Sequence, residues 1–194
     1  MLPEIYVIRH GETEWNSQHR WQGALDSPLT RDGRAQARAM GRMLQAQGIG
    51  PETHRILSSP QGRARHTADL VFDGADIDTD DRLREIGVGG FAGLTRDEIL
   101  ARTGFSETVD YLELYAAAPG GEPFDRLFER VQDLLDDLTG PTVLVTHGIT
   151  SRFLRTAALG RDMRQIRDLP GGQGVVYRIS GGQHEALTPE PGLQ

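Results

Sequence analysis

Ile5-Tyr6-Val7-Ile8 is an apolar run without polar alternation, and its β-branched residues favour an extended chain. A strand apolar on both sides belongs in a sheet covered on both faces. Thr142-Val143-Leu144-Val145-Thr146 repeats the pattern late in the chain. Ile56-Leu57-Ser58-Ser59-Pro60 reads as a shorter strand ending in a loop, and Val175-Val176-Tyr177-Arg178-Ile179 as a last strand.

Helical periods separate these runs. Thr30 predicts an N-cap for a segment with Ala35, Ala39, Met40, Met43 and Leu44 on one face, stopped by Gly48. Gly62 to Phe72 reads as the helix after the second strand. Thr95-Arg96-Asp97-Glu98 is a capping box that opens a short helix reaching about Arg102. From Pro123 to Leu138 the apolar residues Phe124, Leu127, Phe128, Val131, Leu134, Leu135 and Leu138 recur every three or four positions. Ser151 to Leu159 predicts a final helix, and the tail 181–194, with glycine, proline and polar residues, is expected to fray.

Strands alternating with helices imply an α/β fold, a three-layer α/β/α sandwich with a mostly parallel central sheet. In such folds ligands bind outside the C-terminal ends of the strands. His10 and His147 fall at two such ends, and Arg63 lies just beyond a third. A length of 194 residues with 37% hydrophobic content suits one domain, expected over residues 1–180.

Composition narrows the chemistry. The absence of cysteine excludes disulfides, thiolate metal sites and cysteine-based phosphatase catalysis. All 21 basic residues are arginine, which removes Schiff-base chemistry and the phosphate-binding lysine of a P-loop. The net charge of -7 argues against nucleic acid or an anionic membrane as partner, yet a few converging arginines would suffice for a small anion. With no apolar run near the roughly 18 residues of a membrane span and no export signal, a soluble cytoplasmic protein is expected.

One constellation carries chemistry. Arg9-His10-Gly11-Glu12-Thr13-Glu14-Trp15-Asn16 follows the first strand, and Ser58-Ser59-Pro60-Gln61-Gly62-Arg63-Ala64 follows the second. Leu83-Arg84-Glu85-Ile86 comes next, and Thr146-His147-Gly148 closes the set. At these residues the chain resembles the histidine phosphatase superfamily, also called the phosphoglycerate mutase-like family, from about Ile5 to Leu159. The resemblance implies the phosphoglycerate mutase-like fold, His10 as nucleophile, Glu85 as proton donor and acceptor, and Arg9, Arg63 and His147 as a phosphate clamp. Asn16, Gln22, Gly23 and Gly148 match positions that line the same pocket.

Elementary chemistry points the same way. Phosphoryl transfer spreads negative charge over the equatorial oxygens, so a protein must place an in-line nucleophile and surround those oxygens with fixed donors. Guanidinium forks suit that task, and Arg9 and Arg63 would also keep His10 neutral. A carbonyl near Gly11 accepting from Nδ1 would leave Nε2 free to attack. A carboxylic acid can protonate the leaving alkoxide near neutral pH if burial or nearby negative charge raises its pKa, and Glu85 is the candidate. No metal and no cofactor are expected, because no carboxylate cluster or His-Glu-x-x-His pattern is present.

Blander readings compete. An isolated His147 is a core histidine, Arg63 a surface cation, and Glu85 has Glu12, Glu14 and Glu98 as rivals. His19, His54, His66 and His184 read as surface residues, and Trp15 and Trp21 as pocket wall or, more often for large aromatics, as packing. Phe91, just before a lid-like insertion of about 95–122, and Val109, Tyr111, Leu114 and Tyr115 within it suggest a lid that either takes up an organic body or simply packs.

Within the resemblance, a mutase must also hold a second phosphate. Between Ile86 and Pro119 the basic residues are Arg96 and Arg102, against Asp97, Glu98, Glu107, Asp110 and Glu113. Hydrolysis of a small phosphorylated metabolite is therefore expected, with a cofactor-dependent phosphoglycerate mutase and a non-catalytic phospho-ligand binding module as alternatives. Pro123, where family members often carry serine, and Phe91-Ala92-Gly93 depart from the family pattern on the substrate side. Substrate and oligomeric state stay open, a homodimer included.

Overall fold

The computed structural model describes residues 2–189. Its strands are β1 (Ile5–Arg9), β2 (Arg55–Ser58), β3 (Asp78–Thr79), β4 (Thr142–Thr146), β5 (Val176–Ser180) and β6 (Gln183–Leu187). They form one sheet in the order β3-β2-β4-β1-β5-β6. Parallel pairing runs from β3 through β2 and β4 to β1, while β5 and β6 add antiparallel strands on the other side.

The helices are α1 (Glu14–Ser17), α2 (Arg31–Ala46), α3 (Gly62–Val71), α4 (Arg96–Thr103), α5 (Tyr111–Ala116), α6 (Phe124–Asp136) and α7 (Gly148–Ala158). Strand pleating divides the apolar residues between two cores, which explains the uninterrupted runs. Ile5, Val7 and Leu144 face α6 and α7, packing with Leu127, Val131, Phe153 and Leu154. Tyr6, Ile8, Val143 and Val145 face α2 and α3, packing with Met40, Leu44, Ala64 and Ala68. The result is a three-layer α/β/α sandwich with a mostly parallel sheet.

Several boundaries follow the sequence. Thr30 caps α2 by accepting from the Gly33 N–H at 2.9 Å, and the Thr95/Glu98 capping box opens α4. Other expectations are corrected. The segment 181–187, expected to fray, turns at Gly181 and Gly182 and returns as β6; residues 190–194 lie outside the described residues. Both glycines have positive φ, 56° and 76°, as a two-residue hairpin turn needs. Helix α7 begins at Gly148 instead of Ser151 because a distant carboxylate, Glu85, accepts from the Ile149 and Thr150 N–H groups.

Candidate active site

The C-terminal ends of β3, β2, β4 and β1 lie side by side, so four loops converge on one rim of the sheet. Arg9 ends β1, and the His10 N–H donates to the Thr146 carbonyl at the end of β4 across 2.9 Å. His147 follows β4, and its ring meets that of His10 with centroids 5.2 Å apart. Past β2 the chain enters α3, which carries Arg63 on its second residue. Past β3 a short 3-10 turn, Asp81–Leu83, delivers Glu85.

His10 is 3% exposed. Its Nδ1 lies 2.8 Å from the Gly11 carbonyl oxygen. A carbonyl only accepts, so the proton sits on Nδ1 and Nε2 keeps its lone pair. Arg63 Nε donates to that lone pair across 3.3 Å. Burial, followed by the positive charges of Arg9 and Arg63, holds the His10 pKa well below its ordinary 6.5, while the bond to Gly11 acts in the opposite sense.

Arg63 is held on three sides. Nη1 donates to the Leu25 carbonyl and to Asp26 Oδ1, both at 2.7 Å, and Nη2 donates to the Gly23 carbonyl at 2.9 Å. Its side chain is 1% exposed against 41% for Asp26. Asp26 also accepts from the Gly62 N–H at 2.7 Å and the Arg63 N–H at 3.3 Å, capping α3 where Gln61 makes no side-chain cap. Gln61 instead links two loops, donating to the Gly23 carbonyl at 2.8 Å and accepting from the Glu85 N–H at 2.7 Å.

The Glu85 carboxylate sits at the N-terminus of α7. Oε1 accepts from the Ile86 N–H, the Thr150 N–H and the Thr150 hydroxyl, each at 3.0 Å, and Oε2 accepts from the Ile149 N–H at 3.3 Å. The three N–H partners are donors, whereas the Thr150 hydroxyl has a single proton and also lies 2.8 Å from the Arg84 carbonyl oxygen. The rival acids lie elsewhere: Glu98 closes its capping box, and Glu12 accepts from the Thr30 hydroxyl at 2.8 Å.

His147 Nε2 lies 2.8 Å from Ser59 Oγ. Burial first, then the charge of Arg63, with a protonated His10 and Arg9 acting in the same sense, hold its pKa well below 6.5. Two buried nitrogens, His147 Nδ1 and Arg9 Nε, have no hydrogen-bond partner among the described residues. Burial lowers the Arg9 pKa, with Glu85 acting in the opposite sense, and a guanidinium so placed stays charged. A side chain on Gly148 would come within 3.3 Å of Arg9 Cζ, so this glycine makes room for the guanidinium.

These groups border a cavity of about 410 Å³. Arg9, His10, Arg63, Glu85 and Gly148 line it together with Asn16, Gln22 and Gly23, as the sequence led one to expect. His147 stands behind this wall. The Gly23 carbonyl is turned toward Arg63 and Gln61, so its visible task is to hold the clamp.

Other wall residues escaped the sequence reading. These are Arg20, Ile149, Arg152, Gly171 and Gly172, and beside them Trp21, Tyr111 and Tyr115, already candidates in the sequence, form an aromatic side. Trp21, for which packing and a place in the pocket wall were both open, does both: it stacks on Tyr115 with centroids 4.1 Å apart and faces the cavity. Of the supposed lid residues Tyr111 and Tyr115 reach the cavity, whereas Phe91 and Leu114 are core. For Arg152 a signal existed: it lies four residues past Gly148, on the same face of α7. Arg20 and the 171–172 loop carried none.

Two of the supposed surface histidines are half-buried. His54 meets the Tyr6 ring edge-on at 5.5 Å, and His184 stacks on Tyr177 while accepting from Arg155 Nη1 at 3.0 Å. Burial lowers the pKa of Arg155 to about 10; its guanidinium lies 3.7 Å from the Tyr177 ring centroid and donates to the Pro170 carbonyl, steadying the 171–172 loop. Among the described residues no group of three or more His, Asp or Glu is placed to hold a metal ion, and no helix is long and apolar enough to cross a membrane.

Comparison with known proteins places this geometry. The chain is 35% identical over 165 residues to the probable phosphoglycerate mutase GpmB of Salmonella paratyphi B, covering 81% of this chain and 75% of that protein. Among solved structures, the mycobacterial glucosyl-3-phosphoglycerate phosphatase superposes with a TM-score of 0.79 at 29% identity, over 95% of this chain and 96% of that one. YhfR of Bacillus stearothermophilus does so with a TM-score of 0.75 at 33% identity, over 96% of each chain. Residues 5–187 match the Histidine phosphatase superfamily (branch 1), and the chain belongs to that superfamily.

Proposed function

We propose that this protein is a metal-independent phosphomonoesterase that works through a phosphohistidine on His10, with Glu85 as general acid and base. The observation that carries this reading is the tautomer of His10. Its Nδ1 proton is engaged by the Gly11 carbonyl, which leaves the Nε2 lone pair beside Arg63 in a cavity that Arg9 and Glu85 share.

In the first step Nε2 attacks phosphorus in line and the ester P–O bond breaks. Arg9 and Arg63 donate to the equatorial oxygens, which carry the charge of the transition state. The departing alkoxide takes a proton from Glu85, most directly from Oε2, which has the single, longer contact of 3.3 Å. In the second step Glu85 takes a proton from water, the oxygen attacks phosphorus, and the P–N bond breaks to restore His10 and release phosphate. The unpartnered Arg9 Nε is a donor in want of an acceptor, on a side chain that lines the cavity, which supports a bound oxyanion.

Quenched turnover of a radiolabelled phosphomonoester should leave label on the wild-type chain and none on His10→Ala, and hydrolysis should survive a chelator. Undiminished hydrolysis by His10→Ala rejects the reading. A second reading, phosphoglycerate mutase, draws support from the name of the 35% identical relatives. Given 3-phosphoglycerate and catalytic bisphosphate, a mutase forms 2-phosphoglycerate faster than free phosphate; we expect the reverse ratio.

A further inference from the structure

We propose that Thr150 is a positioning residue for Glu85: its hydroxyl proton points to Oε1 while Glu85 is ionised and swings to the Arg84 carbonyl while Glu85 carries its catalytic proton. This rests on Glu85 as the general acid and base of the reading above and adds the group that follows its change of charge.

Thr150 is fully buried in the first turn of α7. A threonine in a helix commonly donates its hydroxyl to the carbonyl four residues back, as Thr67 does to Arg63 at 2.7 Å and Thr156 to Arg152 at 2.8 Å. Thr150 does not. The carbonyl four residues before it, that of Thr146, accepts from the His10 N–H. Thr150 Oγ1 lies instead 3.0 Å from Glu85 Oε1 and 2.8 Å from the Arg84 carbonyl oxygen. The hydroxyl has one proton, so it serves one of these acceptors at a time.

Neither acceptor is left bare when the proton turns away. Oε1 keeps the N–H groups of Ile86 and Thr150, each at 3.0 Å. The Arg84 carbonyl keeps Arg130 Nη2, which donates to it at 2.9 Å. Arg130 is fixed in turn, because Nε and Nη2 donate to the two carboxylate oxygens of Glu122 at 2.7 and 3.0 Å. The two positions of the hydroxyl therefore differ chiefly in the charge they meet. A hydrogen bond to an ionised acceptor is about twice as strong as one between neutral groups, so ionised Glu85 draws the proton to Oε1. Glu85 protonated on Oε2 offers at Oε1 only a neutral oxygen that already holds two N–H groups, and the Arg84 carbonyl, with one donor, takes the proton.

A residue that is acid in one step and base in the next needs such a partner. The N–H groups of Ile86, Ile149 and Thr150 cannot turn, and they favour the carboxylate in both halves of the reaction. When Oε2 passes its proton to the leaving alkoxide, the new carboxylate gains the hydroxyl at Oε1 with no movement of the backbone. When Oε2 takes a proton from water, the hydroxyl returns to Arg84. Its own proton stays on Oγ1 throughout; only the torsion about the C–O bond changes.

The test removes the hydroxyl and little else. Thr150→Val stays close in shape and keeps the backbone N–H. Its kcat for an alkyl phosphate should fall about three- to tenfold with KM unchanged. Phosphohistidine formation from p-nitrophenyl phosphate, whose leaving group needs no proton, should fall much less, and Thr150→Ser should recover most of the loss. In the Glu85→Gln chain Thr150→Val should cost nothing further, because the hydroxyl acts through the carboxylate. Should valine unfold the chain, Thr150→Ala is read in the same way. Wild-type kcat in Thr150→Val, equal losses with both esters, or losses that multiply with those of Glu85→Gln overturn the proposal and leave the phosphomonoesterase reading standing. A Glu85→Gln chain with wild-type kcat for alkyl esters overturns the acid assignment and this proposal with it, while label on His10 still reports the nucleophile.

Discussion

Asp26 Oδ1 and Arg63 Nη1 are 2.7 Å apart, and the guanidinium that this contact orients donates through Nε to His10 Nε2. A half-exposed acid on one loop thus sets the angle of a buried cation on a helix, and the cation in turn meets the proposed nucleophile. The same carboxylate accepts from the first two N–H groups of α3. One residue outside the cavity thus helps the Leu25 and Gly23 carbonyls to fix the position of the clamp.

Removing that contact should separate kinetics from folding. We expect Asp26→Asn, which keeps one acceptor oxygen, to lower kcat/KM about tenfold, and Asp26→Ala to lower it further and to cost about 1.5–3 kcal/mol of stability. Steady-state kinetics with denaturant titration checks both. Wild-type kcat/KM in Asp26→Ala would show that the other Arg63 contacts suffice.

Glu85→Gln should act on proton transfer and leave the fold nearly intact, because the amide oxygen can still accept from the Ile86 and Thr150 N–H groups. The kcat for an alkyl phosphate should drop by about 10²–10⁴. Formation of phosphohistidine from p-nitrophenyl phosphate, whose leaving group needs no proton, should fall much less. Pre-steady-state bursts with the two esters measure the difference, and equal losses in both would remove Glu85 from the acid role.

Both active-site histidines make stability depend on pH. Burial and the arginines depress the folded-state pKa of His10 and of His147 well below 6.5, while in the unfolded chain they titrate near that value. Below it the unfolded state binds protons that the folded state refuses, so stability present above about pH 6.5 is lost as pH falls toward the folded-state values. Each histidine contributes at most about 1.4 kcal/mol per pH unit. Thermal melts from pH 8 to 5 should show a falling Tm, and His147→Gln should flatten the profile; a Tm unchanged over that range contradicts it.

Gly33 sets helix propensity against packing. On propensity alone Gly33→Ala should stabilise α2 by up to about 1 kcal/mol. An added Cβ would stand 2.0 Å from the Glu12 carbonyl oxygen, in the loop that follows His10. We expect a net loss of about 1–3 kcal/mol together with reduced kcat. Chemical denaturation with kinetics decides, and a more stable, fully active variant would mean that the loop moves freely.

Much was legible because it is local. The double-sided apolar runs of β1 and β4, the Thr30 and Thr95 caps and the period of α6 are properties of adjacent residues, and the structure keeps them. The succession of strands and helices then put His10, Arg63 and His147 on one rim, because parallel strands all deliver their loops at the same end. The short α5 was harder to see, since its buried residues Leu112 and Leu114 face a core built by other elements. The β6 hairpin was missed although Gly181-Gly182 is a turn signal, since β6 itself reads as polar.

The sequence by itself determined the α/β fold class, the strands that carry the site and the five residues proposed for phosphoryl chemistry, because each depends on residue type and neighbours along the chain. Only the tertiary structure decided how those residues work together. The Nδ1 proton of His10, the capping of α7 by Glu85, the holding of Arg63 by Asp26 and the place of Thr150 between Glu85 and Arg84 all depend on distances between residues far apart in the chain. Such distances are set when two cores close on one sheet, and no periodicity along the chain encodes them.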